Sequence, residues 1–233
     1  MPVTITAFDW VPDFAKGQVR DLRVRWALEE VGESYDVRYL AQGEQKSPSH
    51  RLLQPFGQVP TLEDGDVRLF ESGGIVQHIA MTREGLFPSD PAGRARAIEW
   101  IFAALNTIEP PLMDRAIATL FEANESWSAP RLPAIDKRIR ERLTEVSNRL
   151  DDRDWFDSAF SAGDLMMVSV LRNLDAQPPR DGSPTLAEFP SLAAYVTRGE
   201  ARPAFGRALA AQMAAFTAKP PAGWREPTMG EKK

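Results

Sequence analysis

Gln54-Pro55-Phe56-Gly57-Gln58-Val59-Pro60-Thr61-Leu62-Glu63-Asp64-Gly65-Asp66-Val67-Arg68-Leu69-Phe70-Glu71-Ser72 is the stretch on which the fold turns. Two prolines and a glycine mark its first half as loop. Two short apolar runs then flank Asp64-Gly65, which is a hairpin signature. Ser72 opens a helix through Ile75, Val76, Ile79 and Ala80. Upstream, residues 35–40 alternate at period two and read as a strand. Residues 41–58 form a polar loop with one helical turn near 49–53. Residues 3–8 are short, β-branched and apolar, a second strand. Between the strands a helix over residues 16–31 stops at Gly32, a natural terminator. Its Val24, Leu28 and Val31, with Leu22 and Trp26 alongside, predict a one-sided apolar stripe. Arg20, Arg25 and Glu29 point elsewhere. The order is βαβ, then a ββ hairpin, then α.

Downstream, residues 86–91 break the chain and β character ends. Residues 94–108 are helical, with Ile98, Ile101, Phe102, Leu105 and Ile108 on one broad face. Pro110-Pro111 must kink or interrupt this helix, since proline lacks an N–H and clashes one turn back. Leu132, Ile135, Ile139, Leu143, Val146 and Leu150 carry the strongest helical period in the chain. Shorter helices are expected near 163–174, 191–198 and 203–217. These readings give an α/β domain at residues 1–84, an all-helical domain at 92–218 and an extended tail at 219–233.

The 233 residues carry a net charge of −5, 43% hydrophobic and 26% charged residues. Such a composition is that of a globular chain with a real core. Mild acidity argues against nucleic acid as partner. No run reaches the ~18–20 apolar residues of a membrane span, and no signal peptide opens the chain, so a cytoplasmic protein is expected. Cysteine is absent, which removes disulfides, thiolate metal sites and a cysteine nucleophile. His50 and His78 leave little for a metal, and none is expected.

Residues 54–62 resemble the (N/Q)-P-x-G-x-V-P-x-L motif of glutathione transferases. Phe70-Glu71-Ser72 resembles the acidic-serine pair of the same family, and Phe160-Ser161-Ala162-Gly163-Asp164-Leu165 the capping box of its helical domain. On this ordered set the chain is identified as a member of the cytosolic glutathione S-transferase family, bacterial in type. The resemblance implies a thioredoxin-like α/β N-terminal domain followed by an all-α helical bundle. It also implies glutathione as co-substrate with no further cofactor, and a homodimer formed through the helix after Ser72 and the one after Pro91.

Residue by residue, the resemblance implies that Val59-Pro60 is a cis peptide whose Val59 main chain holds the cysteinyl part of glutathione. Composition alone would leave Pro60 as a trans proline at an edge strand. Ser72, at the start of a helix, is an N-cap or a partner of the γ-glutamyl carboxylate, with Glu71 facing the α-amino group. Gln45 is implied for the glycyl end, where Lys46, His50 and Gln58 are further candidates. Ser161 and Asp164 read as a capping box worth roughly 1 kcal/mol or somewhat more.

The family commonly places Tyr, Ser or Cys after the first strand to hold the thiolate. This chain has no hydroxyl or thiol side chain between Thr6 and Ser34. Three groups remain: the N-terminus of the first helix, the cations Lys16 or Arg20, and the indole of Trp10. Trp10 and Phe14 can equally wall an apolar co-substrate site or pack in the core. Asp9 and Asp13 oppose a thiolate and should point away. The implied activity is glutathione transfer to a hydrophobic electrophile or peroxide. The rivals are a non-catalytic glutathione or apolar-ligand binder and a glutathione-dependent disulfide reductase or peroxidase.

Overall fold

The computed structural model describes residues 2–176 and 182–224. Strand β1 (Val3–Phe8) leads into α1 (Asp21–Glu30), β2 (Tyr35–Leu40) and the one-turn α2 (Pro48–Arg51). The hairpin β3 (Thr61–Asp64) and β4 (Val67–Phe70) comes next, then α3 (Ser72–Thr82). The sheet order is β2-β1-β3-β4. β1 runs parallel to β2, with Val3 opposite Tyr35 and Phe8 opposite Leu40, and antiparallel to β3. The parallel pair needs a crossover, and α1 supplies it. This is a thioredoxin-like sheet, with a helical region behind it.

That region comprises α4 (Pro91–Ala103), α5 (Glu109–Ala116), α6 (Ser128–Leu150), α7 (Ala162–Leu171), α8 (Pro190–Glu200) and α9 (Pro203–Ala215). Asp90 Oδ1 accepts from Gly93 N at 2.7 Å and caps α4, with Pro91 at its first turn. The predicted interruption at Pro110-Pro111 takes a defined form. Residues Ala104–Ile108 widen into a π-turn, and Ile117–Phe121 form a second one at the far end of α5. The two prolines cannot donate N–H to the preceding turn, so the helix loosens there. The α6 stripe is buried at Ile135, Ile139, Leu143, Val146 and Leu150.

Two expectations about the first helix need correction. It begins at Asp21, not near residue 16, because Gly17 takes φ +73° and residues 13–15 form a separate 3-10 turn. Nor is it one-sided: every residue from Asp21 to Leu28 is buried. α1 packs against α3, β1, α7 and α9, so its polar residues are covered too. Arg25 Nε donates to Asp21 Oδ2 at 2.8 Å, and Gln212 Nε2 to Asp21 Oδ1 at 2.7 Å, within that packing. Trp26 packs edge-on against Phe205 at 5.0 Å and against Phe160 at 5.7 Å, joining the sheet unit to the helices.

Beyond α9, residues 216–224 run as irregular chain. Ala218 N donates to Asp9 O at 3.3 Å. The rest of the expected tail, 225–233, lies outside the described residues. Among the described residues no helix is long and apolar enough to cross a membrane.

Candidate functional site

The loop before β3 is braced from within. Buried Gln54 accepts from Phe56 N at 2.6 Å through Oε1, and its carbonyl accepts from Gly57 N at 2.9 Å. Buried His50 joins its Nε2 to Gln58 O at 2.7 Å, so this ring holds the loop instead of reaching for a ligand. Gly57 sits at φ +63°, and a Cβ there would stand 2.7 Å from Gln45 O. Only glycine allows the two loops to approach so closely. Thr61 N donates to Thr6 Oγ1 at 2.8 Å, fixing β3 on β1. The Val59-Pro60 peptide is cis. Val59 N–H and C=O make no bond to other main-chain groups among the described residues.

Val59 lines a cleft of about 430 Å³ between the sheet unit and α5. Gln45, Lys46 and Gln58 line it on the same side. Met113, Ala116, Leu120 and Phe121 face them from α5 and its second π-turn. Phe14 lines the cleft and meets Phe121 edge-on at 6.3 Å. A mostly apolar cleft with a few convergent polar groups suits a small ligand. Gln45 Oε1 accepts from Gly43 N at 2.7 Å, so its amide N–H groups are not the atoms engaged in that bond.

Pro60, Glu71 and Ser72 are not lining residues; the cleft reaches Ser72 through Arg23. Arg23 Nη1 donates to Ser72 Oγ at 3.2 Å, and Glu71 exerts a favourable charge on the same guanidinium. The N-cap of α3 is Glu71, at φ 68° and ψ 114°, and Ser72 is the first helical residue. The expectation of a Ser72 cap is therefore corrected: its oxygen is taken by Arg23, not by the helix backbone. A positive φ at a non-glycine is a strained conformation of the kind found at binding sites.

The cleft is cationic at its base. Arg20 and Arg23 both line it and both bind Glu109. Arg20 Nη2 and Arg23 Nη2 donate to Glu109 Oε1 at 2.9 and 2.8 Å. Burial works to raise the Glu109 carboxyl, but Arg23 and then Arg20 outweigh it and hold it below its ordinary range. Neither Arg23 nor Glu109 was singled out from sequence. Arg23 sits on a helix that reads as amphipathic, and Glu109 is a single acid before two prolines.

Of the three thiolate candidates, the structure brings only Arg20 to the cleft as a side chain. Lys16 pairs with Asp13 at 2.7 Å on the surface. Trp10 is not brought there: its ring packs edge-on against Trp224 at 5.1 Å, and its carbonyl accepts from Gln42. Asp13 points to solvent, 82% exposed. Gln18, another residue that sequence reasoning passed over, does line the cleft. Arg172 Nη1 donates to Gln18 Oε1 at 3.1 Å. A guanidinium has no acceptor, so the oxygen must face it and the Gln18 NH₂ is turned away. Among the described residues, none that lines the cleft carries a hydroxyl or thiol. Among the described residues no cluster of His, Asp or Glu could hold a metal ion.

Residues 6–81 match the family model described as Glutathione S-transferase, N-terminal domain. The chain is 30% identical to the probable glutathione S-transferase GSTF1 of Oryza sativa subsp. japonica over 82% of this chain and 91% of that one. It is 30% identical to glutathione S-transferase F9 of Arabidopsis thaliana over 58% of this chain and 63% of that relative, under two thirds of its length. Among solved structures it is similar to the theta class glutathione S-transferase of Xanthomonas axonopodis pv. citri, solved with glutathione bound. That similarity has a TM-score of 0.75 and 28% identity over 90% of this chain and 98% of that one.

Proposed function

The chain belongs to the glutathione S-transferase family, and on that premise we propose that it binds glutathione in the Val59 cleft and transfers it to a hydrophobic electrophile. Residues 1–84 act as the glutathione-binding domain and 92–218 as the helical one. The cysteinyl part pairs with the Val59 main chain as a short added strand. Ser72 and the first N–H groups of α3 take the γ-glutamyl carboxylate, and Glu71 the ammonium. Gln45 and Gln58 take the glycyl end. Phe14, Met113, Leu120 and Phe121 hold the electrophile.

In place of the missing hydroxyl, the cleft-lining Arg20 and the Gln18 amide are the groups that favour the charged thiolate. The sulfur then donates an electron pair to the electrophilic carbon. An S–C bond forms, and the leaving group departs with its bonding pair. Proximity and the lowered thiol pKa supply the rate. The observation that carries this reading is the cleft itself, which sets Val59, Gln45 and Gln58 against an apolar helical wall beside two arginines.

Titration calorimetry tests it. Glutathione is expected to bind with a sub-millimolar Kd. Glu71→Ala and Ser72→Ala should each weaken binding by about 10-fold, the usual scale of a charge-assisted bond. Absent binding in the parent protein removes the assignment. A homodimer through α3 and α4 belongs to the same proposal, supported by exposed Met81 (66%) and Phe102 (52%) on those helices. The sample should sediment as two chains, and a mass of one chain refutes the pairing. A second reading, glutathione binding without turnover, draws on the absence of a lining hydroxyl among the described residues. Turnover on aryl halides, a hydroperoxide or a mixed disulfide counts against it.

A further inference from the structure

We propose that Arg23 is a positioning residue that fixes the Ser72 hydroxyl as a donor toward the α-carboxylate of a γ-glutamyl ligand, with Glu109 of the helical region holding Arg23 in place; this rests on the glutathione reading above. Arg23 Nη1 lies 3.2 Å from Ser72 Oγ and 3.4 Å from Glu109 Oε2. Its Nη2 lies 2.8 Å from Glu109 Oε1. The guanidinium is almost fully buried, 4% exposed, and so is Ser72. A free serine hydroxyl rotates and can accept or donate. Here its lone pair is taken by a group that can only donate. The hydroxyl hydrogen must therefore be given to something else.

Ser72 is the first residue of α3, beside helix N–H groups that have no partner within the helix. The acceptor that fits a hydroxyl donor and free N–H groups together is an anion. Glu109, shared with Arg20, pairs with the buried Arg23 before any ligand arrives. The ligand then meets an oriented neutral donor. The π-turn Ala104–Ile108 ends immediately before Glu109. In this way a residue of the helical region sets the shape of a subsite built on α3.

The test compares glutathione with 4-aminobutanoyl-cysteinyl-glycine, which lacks the α-carboxylate of the γ-glutamyl unit. The proteins are the parent, Arg23→Lys, Ser72→Ala and the double variant, measured by calorimetry. Lysine keeps the charge but cannot fork between two acceptors. Arg23→Lys should weaken glutathione about 10-fold and change the analogue less than about 2-fold. Added to Ser72→Ala, it should cost less than about 2-fold more, since its partner is already gone. Glu109→Gln, measured alongside, leaves Arg23 in place and should lose the same ligand preference by about 3-fold. Unchanged glutathione affinity in Arg23→Lys overturns the proposal. So does an equal loss for both ligands, which marks a general structural effect. Multiplicative losses in the double variant overturn it as well, because Arg23 then acts without Ser72. A parent protein that binds neither ligand defeats the glutathione reading itself, an outcome visible before any variant is compared.

Discussion

Asp164→Ala should cost about 3–5 kcal/mol of stability, well beyond the ~1 kcal/mol of a helix cap. The capping box expected from sequence is present at the start of α7. Asp164 Oδ2 accepts from Ser161 N at 3.0 Å and from Ser161 Oγ at 2.9 Å. The other oxygen does more than cap. Oδ1 accepts from Phe156 N at 3.0 Å and from Tyr195 Oη at 3.0 Å, and the carboxylate is fully buried. Alanine therefore strands an N–H of the preceding loop and a buried phenol on α8, each costing about 1–3 kcal/mol. Chemical denaturation at neutral pH measures this, and a loss near 1 kcal/mol would reduce Asp164 to a cap alone. Burial raises the Asp164 pKa, although hydrogen bonds from Phe156, Ser161 and Tyr195 pull it back. With the folded pKa raised, its titration favours folding below the unfolded carboxyl pKa and disfavours it as pH rises through the folded value. Acid is thus not what releases this network.

Glu109→Ala is expected to cost about 3 kcal/mol, because one partner of a buried ion pair is removed and the other stays behind. Arg23 would keep only Ser72, while the 41%-exposed Arg20 can turn to water, which keeps the loss at the low end of the usual range. The pH dependence runs opposite to that of Asp164. The Glu109 carboxyl is held below its ordinary range: burial opposes this, but Arg23 and Arg20 prevail. Its contribution is complete above the unfolded value, near ~4.3, and is lost as pH falls through the lower folded value. The stability gap between parent and variant should shrink as pH falls below about 4. Urea denaturation at pH 7 and in that acid range checks it, and a gap that does not move with pH contradicts the assignment.

Much of the fold was legible because its signals are local. Residues 3–8, 35–40 and 67–70 form strands as their patterns predict, and Asp64-Gly65 makes the hairpin. The α6 period survives as a buried stripe at Ile135, Ile139, Leu143, Val146 and Leu150. The prolines at 110 and 111 announced an interruption, but not that it would be a π-turn, since that depends on how α4 and α5 pack. The first helix misled for a related reason. A helix buried on all sides by two units cannot be told from an amphipathic one when its buried charges are paired.

The loop 54–62, the helix start after Glu71 and the Ser161–Asp164 box derive from backbone chemistry, namely proline, glycine and capping groups that act within a few residues of themselves. The sequence therefore determined the family-like scaffold and where its loops and caps fall. The cationic base of the cleft was decided only in three dimensions. Arg20 and Arg23 reach Glu109 across 89 and 86 residues, and Arg23 reaches Ser72 across 49. Trp10 leaves for Trp224 at the far end of the chain. Pairing of charges and rings over such distances depends on which helices share an interface, and no short-range propensity encodes that.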